Sequence, residues 1–160
     1  MIDFLFKKTL IIGVGLIGSS IARALREHSI SSEIHGIDSD TDVLEKCKNL
    51  NILTSSKKNL TDFSNQFDLI IICSPLSTYK EIFKSLDQQV RLPCIITDVG
   101  STKLSVIKDF KDACTNKYIS LVPSHPIAGL EKSGPEYGFA ELFHNRYCIL
   151  TPLNTNDPVI

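Results

Sequence analysis

Two hydrophobic rhythms alternate along this chain. Short unbroken apolar runs, "TLIIG" (9–13), "FDLIIICSP" (67–75) and "PCIITDVG" (93–100), predict strands buried on both faces. "EIHGID" (33–38) and "YISLVPSHP" (118–126) extend the set, and "YCILTP" (147–152) closes it. Between these runs, apolar residues recur every three or four positions, the spacing of one helix face. Leu16, Ile17, Ile21, Ala24 and Leu25 make the first stripe, and Val43, Leu44, Cys47 and Leu50 the second. Ile82, Phe83 and Leu86 make the third, and Leu104, Ile107 and Phe110 the fourth. Thr78 stands three residues before Glu81, which predicts a capping box at the start of the third helix. Ser101 stands where the fourth helix needs an N-cap. A short helix is predicted around Phe139–Phe143. Strands alternating with helices imply a parallel sheet covered on both faces.

The first strand-to-helix junction adds chemistry. "GVGLIG" places Gly13, Gly15 and Gly18 in the G-x-G-x-x-G spacing, with Leu16 and Ile17 inside the turn. The motif follows a strand and opens a helix, and Asp38 lies 20 residues after its last glycine, at the end of the second strand. That context predicts a Rossmann-type, doubly wound α/β fold with a dinucleotide on the helix N-terminus. Gly13 makes the tight turn, Gly15 admits a pyrophosphate and Gly18 brings the helix onto the sheet. Asp38 would accept from ribose hydroxyls and repel a 2′-phosphate, which favours NAD over NADP. Ser74 and Pro75 leave the sheet where the nicotinamide half of the cofactor would lie.

Composition narrows the class. The 160 residues suit one domain, and the net charge of −1 with no basic face argues against nucleic acid. The "MIDFLFKK" start lacks the apolar core of a secretory signal, and the longest apolar stretch is too short for a bilayer. Five scattered cysteines, with no C-x-x-C pair, suit a reducing cytoplasm and predict neither a disulfide frame nor a metal site.

A second constellation gathers at the same end of the strands. "DVGSTK" (98–103) and "SHPIAG" (124–129) both reach the carboxyl edge of the sheet, where open α/β folds bind ligands. His125 ends a strand there, and an imidazole exchanges protons near neutral pH. Taken alone, Ser101 reads first as a helix cap and His125 first as a structural loop histidine. Lys103 and Lys132 are candidate carboxylate partners, or solvated charges. Arg146 reads as a surface charge, and His28, His35 and His144 as exposed or structural.

Three segments together resemble a known family. "GVGLIGSSIARALR", "DVGSTK" and "SHPIAGLEKSGPEYGFAELFHNRYCILTP" look like the nucleotide-binding half of the prephenate dehydrogenases, closest to the cyclohexadienyl (arogenate) branch. The resemblance runs from about Leu10 to Pro152. It implies NAD-dependent oxidative decarboxylation of prephenate or arogenate on the route to tyrosine, in the cytoplasm and without a metal. It implies His125 as the catalytic histidine, Ser101 as the residue orienting it, and Glu131 as an acid gating the substrate site through an ion pair. The family usually carries threonine where this chain has Leu130, and a leucine side chain donates no hydrogen bond. Family enzymes continue into an all-helical half that makes a homodimer and supplies further substrate-binding groups. The expected organisation is therefore an NAD-binding domain at 1–152 and the start of a linker at 153–160. Two other readings compete: an NAD-binding module without turnover, and another oxidoreductase of this architecture, such as a 3-hydroxyacid dehydrogenase.

Overall fold

The computed structural model describes residues 4–63 and 66–153. All of the expected linker except Leu153 lies outside the described residues. Six strands form one parallel sheet: β1 (Phe6–Ile12), β2 (Ser31–Ile37), β3 (Ser55–Lys57), β4 (Leu69–Ile72), β5 (Cys94–Asp98) and β6 (Ile119–Val122). Their spatial order is β3-β2-β1-β4-β5-β6. The chain builds outward from β1 through β2 to β3, then returns to lay β4 on the other side of β1. That reversal is the switch point of a doubly wound sheet, and it opens a crevice above the ends of β1 and β4. Register is continuous across the switch, with Thr9 beside Leu69 and Ile12 beside Ile72.

Side-chain alternation divides the core into two layers. Leu10, Ile12, Ile70, Ile72 and Ile96 point to one face, where they meet Tyr79, Phe83 and Leu86 of α3 (Tyr79–Gln89) and Val106 of α4 (Lys103–Ala113). Ile11, Ile34, Leu69 and Ile71 point to the other, against Ala22 and Leu25 of α1 (Leu16–Glu27) and Cys47 of α2 (Thr41–Asn49). Buried small residues on α1, Gly18, Ser19 and Ala22, let it approach the sheet closely. Its Ser20 hydroxyl donates to Leu16 O (2.7 Å) and accepts from the Phe139 N–H (3.1 Å), so the segment after residue 134 docks on α1.

The structure corrects several local expectations. Thr78 makes no capping box, because a 3-10 turn at Leu76–Thr78 already holds it in helical conformation. Its hydroxyl instead donates back to Pro75 O at 2.7 Å. Ser101 is not the cap of α4; Thr102 occupies that position, and Ser101 is exposed just before it. Leu104 is 86% exposed. It lies two residues from buried Val106, which on a helix is nearly the opposite side, so the inward stripe runs through Val106, Phe110 and Ala113. Leu50 is the exposed C-cap of α2 rather than part of its buried face.

The run predicted as one strand over 118–126 breaks at Pro123, which has no N–H for a sheet ladder. After it, β7 (Ser124–Pro126) pairs antiparallel with β8 (Cys148–Leu150) in a separate two-stranded sheet. Strand β3 has no apolar run and was not predicted; it is a short polar edge held through His35–Ser55 and Ile37–Lys57 pairing.

One residue tests the close packing. A methyl group on Gly18 would lie 2.1 Å from the Gly13 carbonyl oxygen and 3.1 Å from an Ile11 side-chain carbon. We expect Gly18→Ala to lower unfolding free energy by at least about 1–3 kcal/mol, the usual cost of overpacking a tight contact. Urea denaturation measures it, and a loss below about 0.5 kcal/mol would contradict the packing.

Candidate functional site

The site is assembled at the carboxyl ends of the strands. Gly13 follows β1 with φ +90°, a conformation L side chains avoid, and a methyl group there would meet Ser74 N and Cys73 C at 2.7 and 2.8 Å. Backbone bonds Gly13 N to Ile37 O and Cys73 N to Ile12 O, both 2.7 Å, lock the three strand ends together. Gly15 differs, since a methyl group there would meet nothing within 4 Å. It caps α1 without a side-chain hydrogen bond, and the first turn carries no acid. The free N–H groups and positive end of the helix dipole thus face open space, which suits an anion.

Asp38 stands beside this turn. Its Oδ2 accepts from Val14 N at 2.9 Å and its Oδ1 from Asp40 N at 3.0 Å. A carboxylate has about four acceptor positions, so capacity remains for ligand hydroxyls. Gly13, Gly15, Asp38, Ser74 and Pro75 line one crevice of about 360 Å³. It shares Ile12, Ile37, Thr78 and Ile82 with a neighbouring hollow of about 420 Å³. Ser74 Oγ pairs with Thr78 Oγ1 at 2.8 Å on the far wall. Leu16 is buried beneath the turn and Ile17 half-buried, so Leu16 presents its N–H rather than its side chain. Cys73 is no nucleophile here: burial, reinforced by the Asp98 charge, pushes its thiol far up and keeps it protonated.

The second cluster centres on Asp98, which ends β5 and is 0% exposed. Its Oδ1 accepts from Ser124 N (3.1 Å), and its Oδ2 from Gly100 N (2.9 Å) and Lys103 Nζ (2.5 Å). Lys103 Nζ also donates to Ser124 O, at 2.5 Å. The Lys103 side chain is only 14% exposed. It is therefore internal, paired with the protein's own carboxylate, and neither a solvated charge nor free for an incoming acid. The Ser124 hydroxyl donates to Asp98 O at 2.6 Å and accepts from Thr97 Oγ1 at 3.0 Å. Tyr79, buried nearby, donates to Ile72 O at 3.2 Å; burial first, and then the Asp98 charge, hold its phenol protonated.

His125 follows Ser124 and is half-buried, with Nδ1 3.3 Å from Val99 O. A carbonyl only accepts, so Nδ1 carries the proton and Nε2 of the neutral ring keeps its lone pair. Among the described residues no hydrogen bond joins Ser101 to His125; the Val99 carbonyl sets the tautomer. Glu131 is exposed in a polar hollow of about 720 Å³ shared with Gly15 and Lys132. The loop carrying it is tied down where Lys46 Nζ meets Glu136 Oε1 at 2.6 Å, a hydrogen bond that raises the Lys46 pKa and lowers that of Glu136. Lys132 Nζ sits 4.9 Å from the centre of the Tyr137 ring. Of the remaining histidines, His28 and His144 are exposed, and His35 is buried between Ser55 Oγ (2.8 Å) and Glu33 Oε2 (3.1 Å).

The sequence reading missed the Asp98–Lys103–Ser124 cluster. Its signal was present: an acid inside the apolar run "CIITDV" (94–99) needs a buried partner, and Lys103 follows it five residues on, at the start of the next helix.

Comparison with known proteins converges on one family. The model of the prephenate dehydrogenase nucleotide-binding domain matches residues 21–160. A cyclohexadienyl dehydrogenase of Zymomonas mobilis is 38% identical over 147 residues, covering 92% of this chain and 50% of that protein. A prephenate dehydrogenase of Lactococcus lactis is 34% identical, over 91% of this chain and 41% of its own length. A crystal structure of Aquifex aeolicus prephenate dehydrogenase with hydroxyphenyl propionate and NAD+ superposes with a TM-score of 0.83 at 33% identity, covering 94% of this chain and 52% of that one. The chain spans about half the length of these relatives. With its doubly wound sheet, its glycine turn and these matches, the chain belongs to the prephenate dehydrogenase family, as that family's nucleotide-binding domain.

Proposed function

We propose that this domain binds NAD and supplies the proton acceptor for oxidative decarboxylation of prephenate or arogenate. The observation that carries the reading is the 3.3 Å contact between His125 Nδ1 and the Val99 carbonyl: a proton on Nδ1 there leaves Nε2 as a base on a residue at the ligand edge of the sheet. The glycine turn fits the cofactor. Gly15 opens to solvent, the first turn of α1 is free of acids, and Asp38 is anchored beside it with acceptor capacity to spare. NAD, when bound, takes up the hydride from the carbinol carbon of the substrate ring.

The residues of this chain handle the rest. Nε2 of His125 accepts the hydroxyl proton as the carbinol becomes a carbonyl. The bond to the ring carboxylate then breaks, carbon dioxide leaves, and its electron pair aromatises the ring. The phenolic oxygen recovers a proton from the imidazolium. Glu131 gates substrate entry from the hollow beside Gly15, and Ser101, exposed ahead of α4, orients His125 once the ligands are bound. A threonine hydroxyl is absent at Leu130, so that position contributes no hydrogen bond.

The domain spans 1–152 and acts with a helical half of a homodimeric cytoplasmic enzyme. In support, Leu104 and Tyr147 are 86% and 84% exposed, and all three β8 side chains face solvent.

Two measurements test the assignment. In the complete enzyme His125→Asn should lower turnover about 10²-fold or more while NAD affinity stays near that of the parent; turnover equal to the parent would end the role of His125 as base. Asp38→Ala should weaken NAD relative to NADP by about tenfold, equivalent to about 1.4 kcal/mol. Calorimetric titration of both cofactors reads this directly, and an unchanged preference would take Asp38 off the ribose.

A further inference from the structure

We propose that Asp98 and Lys103 are positioning residues for His125, acting as a clamp on the Ser124 backbone that holds the imidazole in its Nδ1–H form. The inference rests on the reading of His125 as the proton acceptor, and it explains how that base is kept in one tautomer.

The geometry carries more than a tie between α4 and β5, which the Lys103–Asp98 contact alone would provide. Lys103 Nζ reaches past the carboxylate to Ser124 O, and Asp98 Oδ1 reaches Ser124 N. Both peptide groups flanking the Cα of Ser124 are therefore held by one charge pair, and the second of them is the peptide that begins His125. The ring's own acceptor, Val99 O, belongs to the residue directly after Asp98. The same carboxylate also takes Gly100 N, the N–H that follows Val99, at 2.9 Å. Asp98 thus fixes both the strand that carries the imidazole and the turn that carries its partner. The ring lies 3.3 Å from that carbonyl, so rotation of the Ser124–His125 peptide would separate them. A neutral imidazole freed into water favours the proton on Nε2, which would leave that atom without the lone pair a base needs.

The β7–β8 ladder sets His125 opposite Ile149 and is common to every variant below; the Ser124 hydroxyl is the competing anchor that mutation can remove, since it also bonds to Asp98 O and Thr97 Oγ1. It holds the side chain of Ser124, whereas the charge pair holds its backbone. The two are separable by mutation.

The test reads the tautomer of His125 by two-bond proton–nitrogen correlation NMR on the ¹⁵N-labelled chain, at a pH where the neutral ring dominates. Lys103→Met alone leaves the Asp98 carboxylate buried without a counter-charge, which threatens the fold, so the informative variant is the neutral double Asp98→Asn/Lys103→Met. We expect the parent and Lys103→Arg to show the proton on Nδ1. The double variant should move at least half of the ring population to the Nε2–H form, with the amide signals of Gly13, Gly15 and Gly18 unchanged. Parent-like Nδ1–H in the folded double variant overturns the proposal. Ser124→Ala, which keeps both backbone anchors, supplies a second decision that does not depend on the double variant folding. It should retain Nδ1–H, and a switch to Nε2–H there would transfer the role to the hydroxyl and overturn the clamp. Turnover is not read, so failure of the clamp is distinct from failure of His125 as the base, which would appear only in the His125→Asn enzyme.

Discussion

The rest of the structure depends on one close contact, the wedging of Gly13 between two neighbours. On one side the Cys73–Ser74 backbone leaves no room for a side chain, and on the other the Gly13 carbonyl lies where a Gly18 methyl would be. Neither contact survives a Cβ. Together they bring the ends of β1 and β4 and the start of α1 to a single point. The sheet changes direction at that point, so the tightest backbone packing and the topological switch coincide. The crevice is the result: strands diverge around a turn that cannot itself spread.

The two halves of the site are held in different ways. The cofactor side is built from backbone groups. Gly13, Val14 and Cys73 place their N–H groups on Ile37 O, Asp38 and Ile12 O, and the helix start supplies free donors with no lysine or arginine among the residues lining the turn's crevice except Lys58. The His125 side is held by charge. Asp98 collects two backbone N–H groups and an ammonium in a space without solvent. A backbone-built cradle needs little side-chain chemistry and leaves room for a ligand. A residue that must hold a proton at one atom needs its ring fixed from behind, and here the charge pair and the Val99 carbonyl stand behind it.

What the sequence revealed follows the range of the forces involved. Strand runs and helix stripes report burial, which is averaged over many residues, and the six apolar segments and four helices emerged from them. The glycine turn was legible because three glycines at fixed spacing answer a steric demand that no other residue meets. Errors fell where one local group decided the outcome. Thr78 satisfies the cap signature, but the preceding 3-10 turn had already claimed its hydroxyl for Pro75. Leu104 fits an apolar list and fails the angular one. Pro123 sits inside an apolar run, yet its missing N–H splits the run into strands of two sheets. Strand β3 gave no signal because edge pairing to β2 needs only backbone. Lys103 was read by its charge alone; its partner, five residues back on another element, becomes visible only when an acid in an apolar strand is treated as a demand for a counter-ion.

That demand also explains why the pair is informative. Transferring an aspartate and a lysine out of water costs several kcal/mol for each ion, and their attraction recovers this only when hydrogen bonds satisfy the remaining positions. Apolar residues of similar volume would hold α4 against β5 with comparable stability. They would fix a distance and leave both backbone polar groups of Ser124 without these partners, because apolar contact has no direction. Charged hydrogen bonds have direction as well as strength, and here they end on both polar groups of the residue before His125. Buried pairs of this kind add little net stability, and one whose geometry fixes the peptide beside His125, the proposed proton acceptor, is better understood through orientation than through stability.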